Sequence, residues 1–370
     1  MKIAPFRIEQ YYAVHEFTAP HMLSSSDAES VAIAEVLALE PDAAERLFAQ
    51  RLGYTESVGA PELRAAAAAL YDTTSPDDVI VVAAAEEAIF VAYHALLQPG
   101  DHVVVETPCY ESALEVARSA GADVTEWCRS AGNGWAHDLD ALEAALRPDT
   151  RLVYTNTPHN PTGLLMPRQV LDRVVELCAE RGAWLFADEV YRELEHDPAD
   201  RLPAAVDLYD RALSLGSMSK TYGLPGLRLG WLASRNRAVL ARIVDLKHYT
   251  TICSSAPSEL LSALALRHRH VFADRSRAIV LANLELVDAF LERHAERFSW
   301  VRPTASTIGF VRIEGVEDTS VFCQQLVADA GVLLLPGTVY DVPTHVRLGF
   351  GRSAMPMALG LFEAWIETRS

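Results

Sequence analysis

Leu152-Val153-Tyr154-Thr155-Asn156-Thr157-Pro158-His159-Asn160-Pro161-Thr162-Gly163 is an apolar run that stops in a polar, proline-broken loop. The first four residues read as a buried strand, and the prolines forbid its continuation. A helical pattern follows from Arg168 to Arg181 and closes near Gly182, and Trp184-Leu185-Phe186-Ala187 is the next strand. Strand, helix and strand at these lengths form a βαβ unit, whose strands lie parallel.

The same alternation extends on both sides. Upstream lie a strand at Val79–Ala83, a helix from about Glu86 to Leu97, a strand at His102–Glu106 and a helix at Glu111–Gly121; downstream lies a strand at Ala212–Leu215. The fold class expected is therefore α/β, with a mainly parallel sheet. The Ala run at 65–69 reads as a helix of high propensity. Beyond about residue 265 the texture changes. A long helix is expected over Asp274–Phe298, then short strands at Phe310–Ile313 and His345–Leu348, and a closing helix near Ala354–Glu367. This predicts a large α/β domain over 41–265 and a smaller α+β domain over 266–370. Residues 1–40 are expected to pack with the small domain and to carry a helix near Asp27–Leu39.

The chain has 370 residues, 50% of them apolar and 22% charged, with a net charge of −18. That composition suits a soluble globular enzyme. The acidic balance opposes binding to a phosphate backbone, so no nucleic-acid partner is expected. Cys109, Cys128, Cys178, Cys253 and Cys323 form no CxxC pair. They read as reduced thiols of a cytoplasmic protein, with no metal site. The N-terminus has no apolar core of a signal peptide, and Glu86 and Glu87 split the most apolar stretch. Neither export nor a membrane span is expected. No HExxH, GxSxG or Walker motif occurs.

Two further segments end strands: Ala187-Asp188-Glu189-Val190-Tyr191, and Ser217-Met218-Ser219-Lys220 running on to Arg228. Ligands of open α/β sheets sit beyond the carboxyl ends of strands. One cleft could thus collect an Asn, an Asp, a Tyr, a Lys and an Arg. The ordered set Asn-Pro-Thr-Gly, Asp-x-x-Tyr, Ser-x-x-Lys and then Arg eight residues on resembles the class I/II aminotransferases, fold type I enzymes of pyridoxal 5'-phosphate. The likeness runs from about Tyr54 to the end.

The resemblance implies a role for each matching residue. Lys220 would form the Schiff base, which needs an amine that is neutral part of the time. Asp188 would keep the pyridine nitrogen protonated, making the ring an electron sink. Asn160 and Tyr191 would bond the phenolate oxygen. Ser217, Ser219 and Arg228 would hold the phosphate together with the amides of a helix start at Ala84-Ala85-Glu86. Ala84 stands where the family usually has Gly, so a positive-φ turn there is less comfortable. Tyr110 resembles the aromatic residue stacked on the ring, and Arg347 the fork that grips the substrate α-carboxylate. Tyr54 resembles a tyrosine that reaches a phosphate across a dimer interface, which implies a homodimer with shared active sites.

Alternatives remain beside these roles. Lys220 alone could be a surface lysine, Asp188 a helix cap or a metal ligand, Arg347 a strand salt-bridge residue, Asn160 a turn former, and Tyr54 and Tyr110 core aromatics. Ser26 or Asp27, in Leu23-Ser24-Ser25-Ser26-Asp27-Ala28-Glu29-Ser30, could cap the following helix. The same segment falls where the family builds substrate contacts, so Ser26 is also a substrate-binding candidate. Polar side chains there suit a hydroxylated, amidated or cationic amino acid. The segment also looks like divergent relatives in secondary metabolism. The leading expectation is amino-group transfer on an α-amino acid through a quinonoid carbanion. A non-transaminating enzyme of the same fold is the alternative: an O2-dependent oxidative deaminase, with or without decarboxylation, or a Cβ-eliminating lyase or cyclase. A ligand-binding regulator without turnover is the remaining class.

Overall fold

The computed structural model describes residues 2–369. The chain opens with helix α1 (Arg7–His15), strand β1 (His21–Met22) and helices α2 (Ile33–Leu37), α3 (Ala43–Ala49) and α4 (Pro61–Ala68). The alternating region follows: β2 (Val79–Val82), α5 (Ala84–Leu96), β3 (His102–Thr107), α6 (Ser112–Ser119), β4 (Asp123–Cys128), α7 (Leu139–Ala145), β5 (Thr150–Asn156), α8 (Arg168–Arg181) and β6 (Trp184–Asp188). It continues through α9 (Ala205–Leu208), β7 (Ala212–Ser217), β8 (Gly230–Ala233), α10 (Arg237–Lys247) and α11 (Ala256–Arg267). The last third holds α12 (Arg269–Arg293), β9 (Phe298–Trp300), β10 (Ile308–Ile313), α13 (Thr319–Ala330), β11 (Val332–Leu333), β12 (Leu335–Pro336), β13 (His345–Gly349) and α14 (Met355–Glu367).

Seven strands form the large sheet in the order β2-β8-β7-β6-β5-β3-β4. All neighbours are parallel except the two pairs made by β8, which runs antiparallel to both β2 and β7. The fold is thus α/β with a mainly parallel sheet, as expected, and β4 and β8 are the strands the sequence pattern does not single out. Central strands β3, β5, β6 and β7 are buried on both faces, so helices must cover both sides. One face packs on α5, α6 and α10 through Ile80, Tyr93, Val105, Phe186 and Ile243, and the other on α8 through Val153, Leu177 and Leu185.

The smaller sheet, β12-β13-β10-β9, is antiparallel and packs with α12, α13 and α14 around Val287, Phe290 and Phe362. β1 pairs in parallel with β11, and Leu23 joins this core. Val31, Val36 and Leu37 pack instead against Leu63, Leu261 and Leu264 beside the large sheet.

Two helices differ from expectation. Residues 27–31 are not helical, and only Ile33–Leu37 winds. The amides of Ala28, Glu29 and Val31 donate to Lys220, Gly351 and Gly223 carbonyls at 2.8–3.3 Å. These long-range partners replace a helix's own bonds, so tertiary pairing overrides local pattern. The cap reading of Ser26 and Asp27 falls with it: helix α2 starts after Ala32, whose amide donates to Glu35 at 2.8 Å. The long helix spans Arg269–Arg293 rather than Asp274–Phe298, because Phe298 turns into β9 and pairs with Ile313.

Candidate active site

The register of the large sheet places one row of strand ends side by side. Val82 and Ser217 both face Gly230, Leu215 faces Asp188, and Asp188 faces Asn156. Segments 84–86, 156–163, 188–191 and 217–228 therefore leave the sheet at one edge. They meet in a cavity of about 300 Å³. Its lining includes Ser26, Ala84, Ala85, Glu86, Tyr110, Asn160, Asp188, Tyr191, Ser217, Ser219, Lys220, Arg228 and Arg347. Of the residues singled out in the sequence, Tyr54 alone lies apart from it. Tyr54 is 91% exposed.

Asp188 is buried at the end of β6. Its carboxylate accepts from the Tyr154 hydroxyl at 3.0 Å and the Val190 amide at 3.2 Å. Burial pushes its pKa up to about 6, against those two bonds and nearby Lys220. A cationic N–H facing it would reverse that penalty. The Lys220 amine donates to Ser26 Oγ at 2.8 Å and sits 5.8 Å from the centre of the Tyr191 ring. Burial lowers the Lys220 pKa, which raises the share of neutral, nucleophilic amine. The Tyr191 hydroxyl is buried with Ser26 as its near polar neighbour, and it meets no partner at full hydrogen-bond geometry among the described residues. A buried hydroxyl without a partner is costly, and a ligand oxygen in the cavity would relieve it.

The opposite end is built for an anion. Helix α5 starts at Ala84, which adopts φ +66°, the left-handed turn its sequence made uncomfortable. Gly230 permits the turn to pack, since a Cβ there would come 3.3 Å from the Ala84 carbonyl carbon and 2.8 Å from the Gly216 oxygen. The first amides of α5 then face the cavity beside Ser217, Ser219 and Arg228. Arg228 donates to the Pro225 carbonyl at 3.1 Å and pairs with no carboxylate among the described residues.

Arg347 in β13 is 2% exposed. Its Nη1 donates to the Tyr340 hydroxyl at 2.7 Å and Asn160 Oδ1 at 3.3 Å, and its Nη2 to the Tyr12 hydroxyl at 2.7 Å and the Ser24 carbonyl at 3.0 Å. Its Nε is unpartnered, and no carboxylate neutralises it among the described residues. A buried guanidinium held only by neutral groups is a seat for a carboxylate.

A polar layer supports the loop residues from below. Buried Glu106 accepts from Arg129 at 3.1 Å, from the Asn156 amide at 3.0 Å, and bonds His137 at 2.9 Å. Burial opposes its ionisation, but the His137 and Arg129 contacts prevail and hold its pKa well below the usual range. Asn156 in turn accepts from the Asn160 amide at 2.7 Å and donates to the Asp188 carbonyl at 2.9 Å. His159 bonds the Pro108 carbonyl at 2.9 Å, and burial pushes its pKa down to about 3, so it is a neutral strut.

The sequence reading missed the N-terminal wall. Ile8, Glu9, Tyr12 and Glu16 line the cavity from α1 and the turn after it. Arg7 anchors the helix, donating to Glu111 at 2.6 Å and Asp341 at 2.7 Å. The available signal was weak: two tyrosines and an apolar residue on one short helical face.

The family model described as aminotransferase class I and II matches residues 23–358. Capreomycidine synthase of Streptomyces vinaceus is 32% identical over 356 residues, covering 96% of this chain and 91% of that protein. A PLP-dependent aminotransferase from Streptococcus suis superposes with a TM-score of 0.94 at 32% identity, covering 100% of this chain and 99% of the other. The PLP-dependent cyclase OrfR superposes with a TM-score of 0.92 at 30% identity over the same shares.

Proposed function

The chain belongs to the class I and II aminotransferase family and is a pyridoxal-phosphate enzyme, and on that premise we propose that it transfers the amino group of an α-amino acid. The observation that carries this reading is the buried Arg347 fork without a counter-charge, in the same cavity as an amine of lowered pKa at Lys220.

The residues fit the cofactor. Ala84, Ala85 and Glu86 amides, Ser217, Ser219 and Arg228 would hold its phosphate, Asp188 its ring nitrogen, and Tyr191 and Asn160 its phenolic oxygen. Tyr110 would cover a ring face. When bound, pyridoxal phosphate supplies an aldehyde that captures amines and an electron-poor ring that delocalises charge from Cα. Arg347 orients the substrate by its carboxylate. Lys220 removes the Cα proton and returns one, the proton shuttle of the reaction. Ser26 fixes the amine between these duties. Helix α1, with Ile8 and Tyr12, shields the site from water. We take the enzyme to be a cytoplasmic homodimer: Phe48, Leu52, Tyr54, Tyr249 and Ile252 are exposed apolar or aromatic groups that a second copy would cover, with Tyr54 reaching that copy's phosphate. No helix among the described residues is long and apolar enough to cross a membrane.

Likeness to capreomycidine synthase and to the cyclase OrfR favours a second reading. There the same Cα proton removal by Lys220 is followed by loss of a Cβ substituent and ring closure, in secondary metabolism. Mass spectrometry of products from an amino-acid panel separates the two, run with and without a keto acid and with and without O2. Amino-group transfer requires the keto acid and forms its amino acid stoichiometrically. A product formed without any acceptor and lighter than the substrate by the Cβ substituent together with one hydrogen overturns transfer in favour of cyclisation or elimination. Lys220→Ala abolishes product in either case, and surviving turnover refutes both.

A further inference from the structure

Three carboxylates line the cavity without a basic partner. Glu9 and Glu16 come from α1 and the turn beyond it, and Glu86 from the first turn of α5. Glu9 accepts only from the Tyr110 hydroxyl, and Glu86 from Ser112 Oγ at 3.2 Å. The Glu16 carboxylate makes no hydrogen bond or ion pair among the described residues, and Arg352, already paired with Asp27, acts on it only through space. The other charges of the cavity are accounted for: Asp27 pairs with Arg352 at 2.9 Å, while Asp188, Lys220, Arg228 and Arg347 face the groups assigned above. Glu9 lies close enough to act on both of the other acids. Burial, with a smaller push from Glu9, raises Glu86 to about 7 and moves Glu16 upward, against the pull of Arg352 on Glu16 and of Lys220 on both.

A separate observation shows that the cavity awaits a polar ligand. Ser25 is 7% exposed, lines the cavity, and its hydroxyl has no partner, as do the Tyr191 hydroxyl and Arg347 Nε. These groups would be satisfied from inside the cavity or not at all.

We propose that Glu9, Glu16 and Glu86 seat the positively charged end of the substrate side chain, a guanidinium or ammonium group, so that the substrate is a basic α-amino acid. This rests on the reading of Lys220 and Arg347 given above. With the carboxylate on Arg347 and the amine at Lys220, the side chain is left with the wall that carries these acids. A neutral side chain would leave them unpaired, and an acidic one would be repelled. Glu9 is exposed, so the seat reaches the solvent edge and suits a long side chain. A cation there draws the Glu86 carboxyl, held at about 7, into its ionised form, so binding releases a proton near neutral pH.

The test is a titration of the holoenzyme, followed by cofactor absorbance, with L-arginine, L-lysine, L-norleucine and L-glutamate at fixed pH and ionic strength. Arginine or lysine binds at least about tenfold tighter than norleucine, and glutamate weakest. Glu16→Gln and Glu86→Gln, singly and together, bring the ratio of basic to neutral affinity toward one. Equal affinities in the unaltered enzyme, or an undiminished ratio in the double variant, overturn the proposal. Borohydride trapping of cofactor on the Lys220 peptide in the same samples separates a failed subsite from a failed cofactor reading: a trapped peptide without the preference sinks only the subsite.

Discussion

Replacing Asp188 by Asn should make the cofactor-free protein more stable and its cofactor grip weaker. The carboxyl rises from 3.8 to about 6 because it is buried. Each pH unit is worth about 1.4 kcal/mol, so the ionised group costs the fold about 3 kcal/mol above its folded pKa. The native state binds this proton more tightly than the unfolded state. Stability from this group is therefore present below about pH 4 and lost as pH rises through about 6. Asn carries no such slope. It still accepts from Tyr154 or Val190 but turns its NH2 toward the other donor, a loss of about 1 kcal/mol. The two forms should be nearly equal at about pH 4.5, and the variant should lead by about 2 kcal/mol at about pH 8. With the unfolding entropy of a chain this long, that is a Tm gain of about 2–3 °C, read by thermal unfolding of cofactor-free protein at fixed concentration. The cofactor titration should move the other way. On the role proposed for Asp188 at the ring nitrogen, losing its buried carboxylate costs about 3 kcal/mol, or about 100-fold in Kd. A variant that is less stable at both pH values, or that binds cofactor as tightly as the parent, refutes the reasoning.

Three other substitutions probe the surroundings. Arg347→Lys loses the fork and leaves Tyr12, Tyr340 or Asn160 short of a donor, so KM for the amino acid should rise by about 50-fold, with a smaller change in kcat. Glu106→Gln strands the buried Arg129 charge, and urea unfolding should show a loss of about 3–5 kcal/mol. Ala84→Gly relaxes the positive-φ turn and should raise the urea midpoint by an amount worth about 0.5–1 kcal/mol, without loss of cofactor.

The strand-end residues were legible because their signals are local. Asn160, Asp188, Tyr191 and Lys220 each lie within a few residues of an apolar run that marks a buried parallel strand, and the sheet register does the rest. Ala84 was legible as a strained turn through the resemblance, which puts a Gly at that position. The N-terminal wall was not. Its placement depends on Arg7 meeting Glu111 and Asp341, on Tyr12 meeting Arg347, and on Asp27 meeting Arg352, each pair separated by more than a hundred residues. Nor could the extended path of residues 27–31 be read from a pattern that suits a helix, since the carbonyls that hold it straight belong to Lys220, Gly223 and Gly351. The Glu106 layer was hidden likewise, because a buried carboxylate and a surface one look alike in sequence.

The docking of α1 by Arg7 has an evolutionary corollary. The groups assigned to bond-breaking sit on the rim of the large sheet, whereas part of the opposite cavity wall arrives on a nine-residue helix tethered from outside. Selection can therefore alter preference by exchanging side chains in this segment while the strand-end groups keep their places on the sheet. Grafting that segment between relatives is a route to new preferences that keeps an inherited chemistry intact.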